Sequence, residues 1–113
     1  MTQEGFLSQI VERIKKIDPE KIILFGSYAS GTPDSDSDLD ILVVTAHDYI
    51  PKNFSEKNRM YLDVSNLITD IELNMPIDLI VHTKPMHTKF IELGSSFSRK
   101  IIAEGRVIYE KNH

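Results

Sequence analysis

The apolar positions of this chain alternate between two periods. Phe6, Leu7, Ile10, Val11, Ile14 and Ile17 recur at helical spacing, which predicts an amphipathic helix over residues 2–17, stopped by Asp18-Pro19. Residues 21–25 are a β-branched run, Ile22-Ile23-Leu24-Phe25 at its heart, of the kind that makes a strand buried on both faces. Tyr28-Ala29-Ser30 fits a helical turn before Gly31, and residues 32–37, with Pro33 and alternating Asp and Ser, read as a loop. A second strand is predicted over 39–45, then a loop over 46–53. The stripe Tyr61, Val64, Leu67, Ile68, Ile71 and Met75 predicts one long helix of about five turns from Phe54. Asn53 and Glu56 offer it a capping box, and Asn74-Met75-Pro76 ends it. A third strand over 77–81 follows, then short helices over 85–94 and 96–104, with Gly105 as the C-cap. A short edge strand over 107–109 completes the pattern. The expected fold is α/β (α+β), a small mixed β-sheet with helices packed on it, in a single domain over residues 1–113.

Bulk properties narrow the setting. A chain of 113 residues buries about two-thirds of its unfolded surface and folds without staples. No apolar run approaches the roughly 20 residues that cross a bilayer, and the N-terminus lacks a signal-peptide core, so no membrane association is expected. Cysteine is absent, which excludes disulfides and thiolate zinc sites and fits a cytoplasmic setting. The net charge is −4, and basic residues cluster only at Arg13-Lys15-Lys16 and Arg99-Lys100, so direct DNA binding is not expected. An acidic protein that binds an anionic nucleotide needs a cation between the two.

The candidate chemistry lies in two neighbouring segments. Gly26-Ser27 follows the first strand directly, and such a turn presents free backbone N–H groups to a phosphate. Asp38-Leu39-Asp40 heads the second strand, where residues i and i+2 point to one face, so Asp38 and Asp40 can hold one divalent cation or bridge two. A phosphate cradle beside metal carboxylates points to phosphoryl or nucleotidyl transfer. Competing readings fail on spacing. An EF-hand beginning at Asp34 would carry Leu39 in place of glycine and Thr45 in place of glutamate. A P-loop from Gly26 to Gly31 would need a following lysine, and Thr32-Pro33 stands there. Asp34 and Asp36 read as solvated loop residues. His47, His82, His87 and His113 lack ligand spacing and read as surface or loop histidines; Arg99-Lys100 could meet phosphate or a partner but reads first as a solvated helix face. Tyr28 fits either helix packing or a site wall.

Gly26-Ser27, ten intervening residues, then Asp38-x-Asp40 resembles the signature of the DNA polymerase beta-like nucleotidyltransferase superfamily. The chain length makes it most similar to the minimal nucleotidyltransferase (MNT) family, and the resemblance extends to Glu104-Gly105-Arg106-Val107-Ile108-Tyr109-Glu110, similar to that family's closing strand. The resemblance implies that Asp78, the acid at the head of the third strand, completes a metal triad with Asp38 and Asp40. It also implies ATP as substrate and Mg²⁺, two ions by two-metal logic, with Gly26 and Ser27 fixing the triphosphate. Asp78 would help deprotonate the attacking hydroxyl.

Larger relatives in the superfamily carry a helical second domain that holds the acceptor. None is seen in this sequence, so either the acceptor is brought by another protein or the site is open, and the resemblance implies the first. The resemblance implies an antitoxin paired with a HEPN-domain ribonuclease toxin, neutralised by transfer of AMP to a tyrosine. Two alternatives stay open: an antitoxin that neutralises by binding alone, and a small-molecule nucleotidyltransferase of the aminoglycoside-modifying type.

Overall fold

The computed structural model describes residues 2–33 and 37–112. Thr2 accepts a hydrogen bond from the Gly5 amide and opens α1 (Gln3–Ile14), which tightens into a 3₁₀ turn over Lys15–Ile17. Asp18 then takes a left-handed conformation, φ 51°, and reverses the chain. β1 (Lys21–Phe25) runs straight into the short α2 (Gly26–Ser30). β2 (Leu39–Val44), α3 (Phe54–Ser65), α4 (Thr69–Glu72) and β3 (Ile77–His82) follow, then α5 (Lys84–Leu93), α6 (Ser96–Glu104) and β4 (Arg106–Glu110).

The four strands form one mixed sheet in the order β3-β2-β1-β4. β1 pairs antiparallel with both neighbours, and β2 pairs parallel with β3 through the α3–α4 crossover. Alternation along the strands separates two cores. Ile22, Leu24, Leu39, Ile41, Val43, Leu79 and Val81 point to the face covered by α1, α3 and α4, where Ile10, Ile14, Met60, Val64 and Ile68 are sealed from solvent. Ile23, Phe25, Leu42 and Val44 point to the other face, against Phe90 of α5 and Ile101 of α6. The mixed α/β architecture expected from the sequence is the one observed.

The expected five-turn helix is instead two helices broken at residues 66–68. In a continuous helix the Leu67 carbonyl would accept the Ile71 amide, but that amide donates to Ile68. The Leu67 carbonyl accepts instead from the Arg13 guanidinium at 3.1 Å, which also forks onto both Asp70 carboxylate oxygens at 2.7 and 2.9 Å. A long-range cation thus takes the place of a helical hydrogen bond. The capping box is half formed: Asn53 accepts the Glu56 amide, but the Glu56 carboxylate receives the Lys52 amide, one residue outside the cap.

Gly105 does end α6, though with extended backbone at φ −69°, ψ 153° rather than the left-handed form. Glycine is required there for proximity: a Cβ would run into the Ile101 carbonyl and press within 3.1 Å of Ile23 Cγ2. His82 is a buried core residue, 9 % exposed, which corrects the expectation of a surface histidine. Its ring packs on Phe90, centroids 4.9 Å apart, and its Nδ1 lies 3.2 Å from Nδ1 of the half-buried His87. Burial holds His82 down to about 4, with the positive fields of His87 and Lys57 adding to it. His113 and the solvated-loop readings of Asp34 and Asp36 lie outside the described residues.

Candidate functional site

The site forms where three strand ends meet on the α6-covered face. β1 ends at Phe25, whose register partner on β2 is Asp40, and Asp40 in turn faces Asp78 on β3. Parity places Asp40 on the same face as Leu42 and Val44, and Asp78 on the same face as Ile80. The pairing is parallel and in register, so both carboxyl groups emerge side by side, within hydrogen-bonding reach of each other.

Electrostatics follow from that pairing. Asp40 is pushed above the ordinary carboxylate range, first by partial burial, then by the negative fields of Asp78 and Asp38, and by sharing a hydrogen bond with Asp78. Gly26 lies against this carboxylate. Its φ is +73°, and a Cβ there would clash with Asp40 Oδ2. Glycine at 26 therefore serves two ends, a left-handed turn and room for the acid.

A cavity of about 300 Å³ opens over these groups. Phe25, Gly26, Asp40 and Asp78 form its sheet side; Phe97, Lys100, Ile101 and Glu104 of α6 form the opposite wall, with Gly105 at the end. Asp40, Asp78 and Gly26 are thus brought together as the sequence predicts. Asp38 is exposed and outside the cavity lining, yet near enough for its charge to raise Asp40. Ser27 sits in the first turn of α2, and its side chain is not part of the lining. Lys100 is exposed, as the solvated-face reading expects, and also lines the cavity, whereas Arg99 is exposed and outside the lining. The signal was present in the sequence: Phe97, Lys100, Ile101 and Glu104 are spaced three, one and three apart, one stripe of a helix.

Hard divalent cations take oxygen ligands, and two carboxylates held in register, with their mutual repulsion unrelieved, fit that preference. Asp40 and Asp78 are the donors the fold presents. Among the described residues no three acidic or histidine side chains are gathered around one point. Nor is any helix among the described residues long and apolar enough to cross a membrane.

Paired strand-end carboxylates, a glycine turn against them and a nucleoside-sized cavity define a candidate site for phosphate esters. The chain belongs to the polymerase beta nucleotidyltransferase family, whose profile (Polymerase beta, Nucleotidyltransferase) matches residues 8–113. It is 31 % identical over 114 residues to a putative protein adenylyltransferase of Methanocaldococcus jannaschii, a match covering 96 % of this chain and 100 % of that one.

Solved structures share the fold. One is a toxin–antitoxin crystal structure with AMP-PNP (TM-score 0.57, 21 % identity, 93 % of this chain and 73 % of that one). Another is a putative nucleotidyltransferase from Sulfolobus solfataricus (TM-score 0.57, 21 % identity, 96 % and 86 %). A third is the tri-AMPylated Shewanella oneidensis HEPN toxin in complex with MNT antitoxin (TM-score 0.53, 17 % identity, 97 % and 74 %). The nucleotidyltransferase fold and family expected from the Gly-Ser and Asp-x-Asp spacing are therefore the ones found.

Proposed function

We propose that this protein is a Mg²⁺-dependent adenylyltransferase that transfers AMP from ATP to a tyrosine hydroxyl of a HEPN-type toxin and so neutralises it. The observation that carries the reading is the in-register pair Asp40–Asp78 beside Gly26, at the mouth of one cavity. Family membership supports the reaction class. The M. jannaschii relative named as a protein adenylyltransferase supports a protein acceptor, and the fold-level likeness to an AMPylated HEPN toxin complex supports the partner. Residues 1–113 act in this reading as one catalytic domain.

Asp38, Asp40 and Asp78 are the catalytic and metal-binding residues in this proposal, and Gly26 and Ser27 the nucleotide-binding ones. Mg²⁺ held by the acids would supply positive charge to the phosphates and acidify the acceptor hydroxyl. Gly26 keeps the Asp40 carboxylate seated and lets the chain approach the triphosphate closely, while Ser27 offers an amide and a hydroxyl to its oxygens. The tyrosine oxygen attacks the α-phosphorus and a new P–O bond forms. The bond from that phosphorus to the bridging oxygen breaks, and pyrophosphate leaves with the electron pair. The tyrosine proton passes to Asp78 and from there to water. Most of the rate gain comes from positioning and charge stabilisation. An AMP ester on the toxin adds bulk and negative charge where RNA would approach.

The test is to co-express this protein with a candidate HEPN-type toxin, purify that toxin and map its modifications by mass spectrometry. AMP on tyrosine, absent with Asp40→Asn or Asp78→Asn, is the expected result. An unmodified partner that is nevertheless neutralised would contradict the reading.

A further inference from the structure

The α6 wall of the cavity has a chemistry distinct from that of its sheet side. Phe97 is held by two perpendicular aromatic neighbours, Phe25 at 5.8 Å and Phe90 at 6.0 Å between centroids, with interplanar angles of 81° and 80°. Despite those contacts it remains 48 % exposed, so a rigidly braced ring is left open beside the carboxylate pair. Such a ring is a preorganised stacking surface, because its conformational entropy is already lost to packing. One turn further along, Lys100 enters the same lining. Among the described residues it makes no hydrogen bond or ion pair, and it is the one cation in a lining that holds Asp40, Asp78 and Glu104.

We propose that α6 is the nucleoside wall of the site, with the base of the nucleotide stacking on Phe97 and the Lys100 ammonium meeting the phosphate nearest the ribose. This deepens the adenylyltransferase reading and rests on it. The triphosphate tail belongs to the Gly26 end, so the opposite wall, apolar and aromatic at Phe97 and cationic at Lys100, receives the nucleoside end. A cavity of about 300 Å³ suits a nucleoside monophosphate. Stacking recognises the face of a base rather than its edge and tolerates different bases. Phe97 and Lys100 are then positioning residues for the donor, and neither takes part in proton transfer.

Equilibrium binding of ATP and of inorganic tripolyphosphate, each with Mg²⁺, tests this on the full chain. The proteins compared are wild type, Phe97→Leu, Phe97→Tyr and Lys100→Met. Wild type binds both ligands. Phe97→Leu weakens ATP about ten-fold or more, the loss expected of one base–aromatic stack, and leaves tripolyphosphate unchanged. Phe97→Tyr restores ATP binding, which separates stacking from folding. Lys100→Met, at an exposed helix position, weakens ATP and, in the same assay run with AMP and with adenosine, weakens AMP but not adenosine; equal binding of AMP by this variant and wild type would remove Lys100 from the proposal.

If Phe97→Leu lowers both ligands equally, or leaves ATP untouched while slowing transfer, the wall does not hold the nucleoside. In the second case it faces the acceptor instead, and the adenylyltransferase reading survives. If wild type binds neither ligand, that reading fails and takes this inference with it.

Discussion

Asp40 on β2 stands directly opposite Asp78 on the parallel neighbour β3, two acids in register on one face of a four-stranded sheet. Backbone pairing makes the two residues register partners and so brings their side chains to neighbouring positions on that face. Partial burial first, and then the local repulsion of this pairing, raises Asp40 above its ordinary range.

Removing that repulsion should stabilise the protein while abolishing its chemistry. Asp40→Asn keeps the shape and a hydrogen bond to Asp78 but loses the charge. With a chelator present, thermal unfolding of this variant should lie about 2–5 °C above wild type. That corresponds to roughly 0.5–1 kcal/mol after discounting for the partial exposure of Asp40. Millimolar Mg²⁺ should raise the melting temperature of wild type and leave the variant nearly unmoved. A destabilised Asp40→Asn would mean that the carboxylate pair is not under strain.

Gly26→Ala should be damaging out of proportion to one methyl group. The left-handed backbone costs about 1–2 kcal/mol for a residue with a Cβ, and that Cβ meets the Asp40 carboxylate. Either the turn opens or the acid is displaced. Loss of transfer activity with retained secondary structure by circular dichroism is the expected outcome, and full activity would exclude the close approach.

His82 makes stability depend on pH. Its folded-state value is about 4 against about 6.5 when unfolded, so between these limits the unfolded chain binds the extra proton. The stabilisation is complete above pH 6.5 and is lost as pH falls through the window to about 4, by about 2–3 kcal/mol in all. The groups facing the ring are His87 and Lys57, both disfavouring a second positive charge, and His87 is itself lowered by burial and by Lys21. Denaturant unfolding at pH 7, 6, 5 and 4 should show the decline, and His82→Phe should flatten it. An unchanged slope in that variant would assign the pH dependence to other groups.

Arg13 links α1 to the break between α3 and α4. Arg13→Ala leaves the Leu67 carbonyl without its donor and Asp70 without its fork. Amide exchange over residues 66–72 should accelerate while the β-sheet amides keep their protection. Asp70→Asn, which spares the carbonyl contact, should have the smaller effect. Equal effects would show that the ion pair, not the carbonyl, holds the junction.

The strands, the glycine turn and the Asp38-x-Asp40 spacing were legible in the sequence because they depend on local periodicity. Asp78 was legible only through the family resemblance, and its place opposite Asp40 depends on the pairing of β2 with β3. The helix break was not legible, since residues 54–75 carry a continuous apolar stripe and the interruption depends on Arg13, more than fifty positions away. His82 misled for a similar reason: a polar residue at a strand end reads as exposed until α5 folds back and Phe90 and His87 cover it. That exposed Lys100 also lines the cavity depends on which side of α6 meets the sheet. Ile101 and buried Ser98 decide that orientation.

The central claim is that the Asp40–Asp78 pair directs transfer of a nucleotidyl group to a protein. The most direct measurement mixes this protein, Mg²⁺ and the purified partner with ATP labelled either at the α- or at the γ-phosphate, and resolves the products on a denaturing gel. Label should reach the partner from α-labelled ATP alone, with the γ-label released as pyrophosphate and no transfer by Asp40→Asn or Asp78→Asn. Label on the partner from γ-labelled ATP would indicate phosphoryl transfer instead. No label from either, with the partner still bound, would contradict the claim and make this protein a binding-only antagonist.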